Sequence, residues 1–192
     1  MTGNAKKISR IGVLGAAAAI LFLIPGIPIF PPIYKLDFST LPALLGGFSM
    51  GPVAGVIIVF IKDLVGCINS DSGMVGEMAD FLVSSALVIC ASAWYRRNRT
   101  LRGALAGMGV GILLMTAVGA LANYFVLIPF YVNVMGVPEP AIIGMMQAII
   151  PAIDSLGKLI ALATVPFNII KGLVLCGVTA LLYKRLSPFL HG

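Results

Sequence analysis

The stretch KLDFSTLPALLGGF, residues 35–48, sets a lysine and an aspartate two positions apart. An apolar run follows, broken by Pro42 and by the pair Gly46-Gly47. Whether this stretch spans, dips into or lies beside an apolar phase decides the fold. It is too polar at its start to be the end of a membrane helix. It is also short for a helix of its own, since crossing a bilayer takes about 20 apolar residues. Irregular backbone at membrane depth is tolerated only where it is buried in protein or lines a cavity. The stretch therefore reads as two parts. Residues 35–39 form an outer loop whose Asp37 and Phe38 can close over a ligand. Residues 41–50 form a short, bent helix, and together the two parts roof a pocket.

The rest of the chain supports an apolar setting. Of 192 residues, 59% are hydrophobic and only 10% charged. A soluble domain carries about 25% charged residues, so this chain lacks the polar surface to cover a water-facing globule. The reading is an integral membrane protein, with residues 1–192 as a single membrane domain. Cys67, Cys90 and Cys176 are scattered through or beside apolar runs, which gives neither a disulfide framework nor metal spacing. Lys6, Lys7 and Arg10 precede an apolar run as in a signal peptide. That run is long, however, and PGIPIFPP (25–32) stands where small residues would mark cleavage, so it reads as a retained first helix.

Apolar runs follow at residues 11–24, 41–50, 53–68, 78–95, 103–128 and 163–183. Prolines mark several ends, because proline removes a helical hydrogen bond. Pro25 is expected to end the first run and Pro129 the fifth. The mixed segment 130–162, with VPEP, has room for a short amphipathic helix. The fold class is all-α: a polytopic membrane protein with six transmembrane helices in one bundle.

Charge placement orients that bundle. Lys6, Lys7 and Arg10, then RRNRTLR (96–102), then Lys184 and Arg185 fall on one side. The positive-inside rule makes that side cytoplasmic and puts both termini there. All seven acids, Asp37, Asp63, Asp71, Glu77, Asp80, Glu139 and Asp154, fall at or toward the other side. So do Lys35, Lys62, Lys158 and Lys171. The +6 net charge thus speaks for orientation in a bilayer and not for nucleic acid.

Ionisable groups in apolar runs are costly and mark candidate sites. Asn168 and Lys171 share a face of the last helix. They either reach a ligand, or snorkel and hold a neighbouring helix. Asn123 offers a donor and an acceptor side by side, suited to an amide or imide edge, and Tyr124 offers a ring for stacking. The alternative is an interfacial aromatic beside an interhelical hydrogen bond. Glu77 and Asp80 also share a face, and acids in a first turn equally complement the helix dipole. Lys62-Asp63 is expected to be structural, as a self-compensating pair or as a partner for Glu77. In GVLGAAAA (12–19), the pairs Gly12/Ala16 and Gly15/Ala19 form a strip of small residues. Such a strip admits either a helix of the same chain or a separate membrane subunit.

Motifs for catalysis are lacking. The one histidine is His191, and HExxH, GxSxG, P-loop and metal-spaced carboxylate patterns are all missing. The expectation is a non-enzyme with no metal and no cofactor. A membrane enzyme using Asp63, Glu77 and Asp80 is the remote alternative.

Taken in order, KLDFSTLPALLGGFSMGPVAG (35–55), GEMADFLVSS (76–85), ANYFVLIPFY (122–131) and FNIIKG (167–172) resemble the riboflavin-specific S component of energy-coupling factor (ECF) vitamin transporters. The likeness spans most of the chain, and GVLGAAAA resembles the alanine-rich docking face of such components. The resemblance implies a multi-pass protein of the prokaryotic plasma membrane that captures riboflavin from outside. It implies partners: a transmembrane coupling subunit and two ABC ATPases that hydrolyse the ATP, with toppling in the membrane to release the vitamin inside. It implies that Asp37, Phe38, Thr40, Leu41, Ala43 and Leu44 cover and line the site. Asn123 would read the pyrimidine-like edge, with Tyr124 beside it. Asn168 and Lys171 would reach the polar part, and Glu77 would be a wall residue. Gly12, Gly15, Ala16 and Ala19 would dock the coupling subunit. Mixed charge and amides suit a neutral polar ligand better than a phosphate. An S component for thiamine, biotin or pantothenate is the nearest alternative.

Overall fold

The computed structural model describes residues 3–30, 34–70 and 72–191, with side chains for all of these except 3, 69 and 183–191. Pro31, Pro32 and Asp71 lie outside the described residues, as do the side chains of Lys184, Arg185 and His191.

The first helix, α1 (Gly3–Leu23), takes in the polar segment before the apolar run and stops two residues short of Pro25. The proline-rich stretch beyond it is more than a helix breaker. Strand β1 (Ile27–Phe30) pairs antiparallel with β2 (Tyr34–Leu36), with Ile27 opposite Leu36, Phe30 opposite Tyr34 and an irregularity between Pro28 and Phe30. Proline is acceptable in a two-stranded ribbon, where every strand is an edge.

Helices α2 (Leu41–Met50) and α3 (Pro52–Gly66) form a tight helical hairpin. The chain reverses at Gly51, whose φ of 98° is open chiefly to glycine. The helices touch backbone to backbone. A Cβ on Gly55 would stand 2.9 Å from the Ala43 carbonyl oxygen and 3.1 Å from Gly47 Cα. At 1.5 Å per residue, α2 is only about 15 Å long and α3 about 22 Å. The chain therefore enters α2 partway down the bundle, and the turn before it dips among the helices. Thr40 is fully buried there, its hydroxyl 3.1 Å from that of Ser84.

The remaining helices are longer. Helix α4 (Val75–Arg97) is followed by α5 (Leu101–Ala122), which is capped by Thr100 accepting from the Gly103 N–H. Pro129 does not end the fifth run. A π turn, Asn123–Leu127, leads straight into α6 (Ile128–Asn133), so one helix runs across Leu101–Asn133. After α7 (Glu139–Gln147), the last helix also begins earlier than expected. It runs from α8 (Leu156–Leu159) through a second π turn, Ile160–Thr164, into α9 (Val165–His191). Each π turn lies just ahead of a proline, Pro129 and Pro166. Proline cannot donate and crowds the carbonyl one turn back; a locally wider turn removes that conflict without breaking the helix.

Three helices, Val75–Arg97, Leu101–Asn133 and Leu156–Leu182, are long and apolar enough to cross a membrane. They expose large apolar side chains, with Leu113 at 69% and Leu181 at 78%. A water-facing surface rarely presents such extended apolar area. The interior has two apolar clusters. One, around Leu44, Ile58, Leu87, Met108 and Leu175, joins α2, α3, α4, α5 and α9. The other, around Tyr34, Ile128, Met146, Leu159 and Phe167, lies under the β ribbon. The polar residues of interest lie between them.

Candidate functional site

A cavity of about 560 Å³ opens where the end of α1, the β ribbon, α4, the π turn Asn123–Leu127 and α9 converge. Its wall includes Asp37, Glu77, Asn123, Asn168 and Lys171, five of the residues singled out above. The other six do not line it. Leu41, Ala43 and Leu44 are buried in the apolar core, and Phe38 packs against the same cluster. Thr40 is held against Ser84. Tyr124 is 44% exposed and set edge-on to Phe125 on the outside of the helix.

A chain of buried charges starts at one side of the cavity, lined by Asp37, Asp80 and Lys171, and continues behind it to Lys62 and Asp63. Lys171 Nζ lies 3.0 Å from Asp37 Oδ2 and 3.0 Å from Asp80 Oδ1. The second oxygen of Asp80 pairs with Lys62, which also pairs with Asp63 at 2.5 Å and sits 4.7 Å from the Phe22 ring centre. Lys62 thus partners Asp80, not Glu77, and the self-compensating pair with Asp63 is also present. Three carboxylates and two ammonium groups from four segments form one network. Burying single charges would be costly, and the mutual pairing offsets that cost. Asp37 is further fixed by the Ser39 backbone N–H and hydroxyl, both donating to Oδ1. Burial, the largest single influence, pushes the Asp37 carboxyl up, but Lys171, the Ser39 hydrogen bond and Lys62 together outweigh it and leave the group below its ordinary value of 3.8.

The opposite side is built on the first π turn and on Phe167 and Asn168, which follow the second. Such turns recur at functional sites because they re-aim side chains that a regular helix would direct elsewhere. Tyr34 of β2 bridges them: its hydroxyl is 2.6 Å from that of Thr164 and lies 3.4 Å from Asn123 Oδ1. Burial raises the Tyr34 phenol to about 12. The Tyr34 ring stands 5.0 Å from that of Phe167, tilted by 40°. Asn123 Nδ2 donates to the Gly119 carbonyl and Asn168 Nδ2 to the Thr164 carbonyl, so each amide is oriented by its own helix. Among the described residues nothing donates to Asn168 Oδ1. Gly119 makes room for it, since a Cβ there would lie 2.7 Å from Asn168 Nδ2. At the rim, Glu77 accepts from Ser70 at 2.8 Å and Ser72 at 3.0 Å.

Sequence reasoning missed Tyr34, Thr164 and Phe167 as site residues and left Asp80 and Lys62 outside the site. Asp80 carried a usable signal: an acid in an apolar helix on the face of Glu77. Tyr34 carried none, because the proline-rich stretch before it disguised the strand.

The small-residue strip divides. Gly15 and Ala19 are buried, with Ile61 of α3 against Gly15. Gly12 and Ala16 are exposed, and nothing lies within 4 Å of a Cβ built on Gly12.

The arrangement offers an apolar slot with aromatic faces, two oriented amides, a lysine and a carboxylate. It suits a flat, neutral ligand with hydrogen-bonding edges. Comparison with known proteins points the same way. Residues 6–183 match the family model of the ECF transporter substrate-specific component. The chain is 37% identical over 186 residues to the riboflavin transporter RibU of Staphylococcus aureus, covering 96% of this chain and 92% of that one. It is 26% identical over 193 residues to the riboflavin transporter FmnP of Bacillus subtilis, covering 97% and 94%. The solved S component of a bacterial ECF transporter superposes with a TM-score of 0.75 at 36% identity, covering 97% of this chain and 98% of that one.

Proposed function

Because the chain belongs to the substrate-specific components of ECF transporters, we propose that it is the riboflavin-binding subunit of such a transporter and mediates riboflavin uptake. The observation that carries this reading is the cavity between the β ribbon and the π turns, whose wall chemistry matches riboflavin group by group. Its volume of about 560 Å³ lies within the roughly 300–1,000 Å³ usual for small-molecule sites.

Riboflavin is flat, uncharged and edged by an imide, with a polyhydroxyl tail. In this reading the ring lies against Tyr34 and Phe167. The imide N–H donates to Asn168 Oδ1 or Asn123 Oδ1, amide oxygens of two cavity-lining residues whose Nδ2 atoms are engaged by their own helices. Lys171 has three N–H donors, of which Asp37 and Asp80 take two, so one remains for a ring carbonyl. Ser72 and Glu77 at the rim suit the tail, each able to meet a hydroxyl. The Asp37 segment, tied to α9 through Lys171, dips among the helices and forms part of the wall of the site instead of an outer roof. Phe38 and Thr40 anchor the turn that follows it, and Leu41, Ala43 and Leu44 bury the short helix beyond.

The same membership implies the setting: one membrane domain across residues 1–192, six helices embedded, both termini on the basic side, in a prokaryotic plasma membrane. Binding by this chain needs no cofactor and no catalysis. ATP hydrolysis belongs to the two ABC ATPases, reached through the coupling subunit, and the exposed pair Gly12 and Ala16 is where that subunit docks.

The test is a titration of riboflavin with the purified chain in detergent, without ATP, following flavin fluorescence. Saturable quenching at submicromolar protein is expected. Absence of quenching at micromolar protein, or quenching that thiamine, biotin or pantothenate reverses at equimolar concentration, would refute the vitamin assignment.

A further inference from the structure

A second cavity, of about 270 Å³, lies at the other end of the bundle, beneath the turn that joins α2 to α3. It is lined by Lys7 of α1, Arg96 at the end of α4 and Arg99 of the α4–α5 turn, together with Ser49, Gly51 and Pro52. No carboxylate contributes to its wall. Among the described residues these three cations form no ion pair with an acid: every described pair involves Lys62, Lys158 or Lys171.

Three like charges brought to one concavity from separate segments repel one another, and an anion relieves that repulsion. The positive end of α3 adds to the same field. The size is decisive for the class of ligand: about 270 Å³ falls below the usual range for a vitamin-sized site but admits a tetrahedral anion with a short tail. Guanidinium groups match phosphate oxygens two by two. Trp94, the chain's one tryptophan, is 45% exposed half a turn from Arg96. Indole rings gather at the level of lipid headgroups. Basic pockets at that level hold anionic headgroups.

We propose that the Lys7–Arg96–Arg99 cavity binds a phosphate group, supplied by the headgroup of an anionic lipid on the basic face of the membrane. The lipid source rests on the orientation given above; the phosphate chemistry does not.

Native mass spectrometry of the full chain, released from micelles holding equal phosphatidylglycerol and phosphatidylcholine, tests it. Phosphatidylglycerol adducts should exceed phosphatidylcholine adducts at least about five-fold. The pair Arg96→Gln/Arg99→Gln should abolish that excess, while Arg97→Gln/Arg102→Gln, with the same charge loss outside the cavity, should keep it. Should the first pair fail to quench flavin and so fail to fold, Lys7→Gln on exposed α1 replaces it, with an excess at least halved. Inorganic phosphate at about 10 mM distinguishes the sources. Adducts that persist support the lipid. A phosphate adduct that appears in their place supports phosphate recognition and overturns the lipid source. Equal loss from both arginine pairs, or no lipid preference and no phosphate adduct, overturns the site while leaving flavin binding untouched.

Discussion

Lys171 and Asp37 are 134 residues apart in sequence, yet Nζ and Oδ2 meet at 3.0 Å inside the bundle. This pair ties the segment leading into α2 to the face of α9 that lines the cavity. Lys171 is thus a strut as well as a wall residue of the cavity.

The strut makes Lys171→Ala costly. It would leave Asp37 and Asp80 facing each other without their shared cation, and losing one member of a buried pair costs about 3–5 kcal/mol. Lys171→Met combined with Asp37→Asn should recover part of that loss. Thermal unfolding in detergent gives the comparison. Equal melting of the single and double variants would show that the two residues are not coupled.

Asn168 should matter for binding out of proportion to stability. Its Nδ2 bond to the Thr164 carbonyl is local, and the residue lines the cavity. Asn168→Ala should weaken riboflavin binding by about 1–3 kcal/mol, the cost of an unmet buried partner, which is roughly 5- to 150-fold. Gly119→Ala should approach the same loss without touching the ligand, because its Cβ would lie 2.7 Å from Asn168 Nδ2. Fluorescence titration of both variants checks this. Unchanged affinity in Gly119→Ala would mean that the amide is not held by that contact.

The pH dependence follows from two groups outside the spanning helices. The Asp37 carboxyl sits below its ordinary value of 3.8 in the fold. A lowered carboxylate contributes stability that is complete above the unfolded value and lost as pH falls through the folded one. Tyr34 is raised from 10.0 to about 12. Its contribution is complete below the unfolded value and lost as pH rises toward the folded one. Neither window touches the range from about pH 5 to 8, where these two groups leave stability flat. Thermal unfolding in detergent across that range checks it. Tyr34→Phe, which loses the bridge between the two π turns, should cost about 1 kcal/mol of stability at neutral pH.

How much of this was legible in sequence depends on the reach of each interaction. Asn123, Asn168, Lys171, Asp37 and Glu77 stood out because polar groups in or beside apolar runs need a reason, and all five line the cavity. Leu41, Ala43 and Leu44 came from the family likeness and lie in the apolar core; nothing in their chemistry separates a core position from a wall position. Asp80 was weighed against the helix dipole and as a catalytic carboxylate but not as a partner of Lys171, which is 91 residues away with no local spacing to point to it. The prolines misled at the helix ends. Pro129 was read as a boundary, whereas a π turn precedes it, as another precedes Pro166, and carries the helix through; those turns aim Asn123 and Thr164 at Tyr34. The β ribbon was hidden for a similar reason: Pro28 reads as a breaker, and only pairing with β2 gives it a place.

The small-residue strip on α1 yields a prediction that the sequence could not divide. Gly15 packs under Ile61, so Gly15→Leu must push α1 off α3 and should lower the melting temperature and flavin binding together. Ala16 is exposed on the neighbouring face, so Ala16→Trp meets no atom of this chain's core. It should leave riboflavin titration in detergent unchanged and reduce ATP-driven uptake once the chain is reconstituted with an ECF module. The two measurements must therefore part company at Ala16 and move together at Gly15. Equal damage to binding and uptake from Ala16→Trp would place that residue inside the fold and remove Gly12 and Ala16 as the docking face.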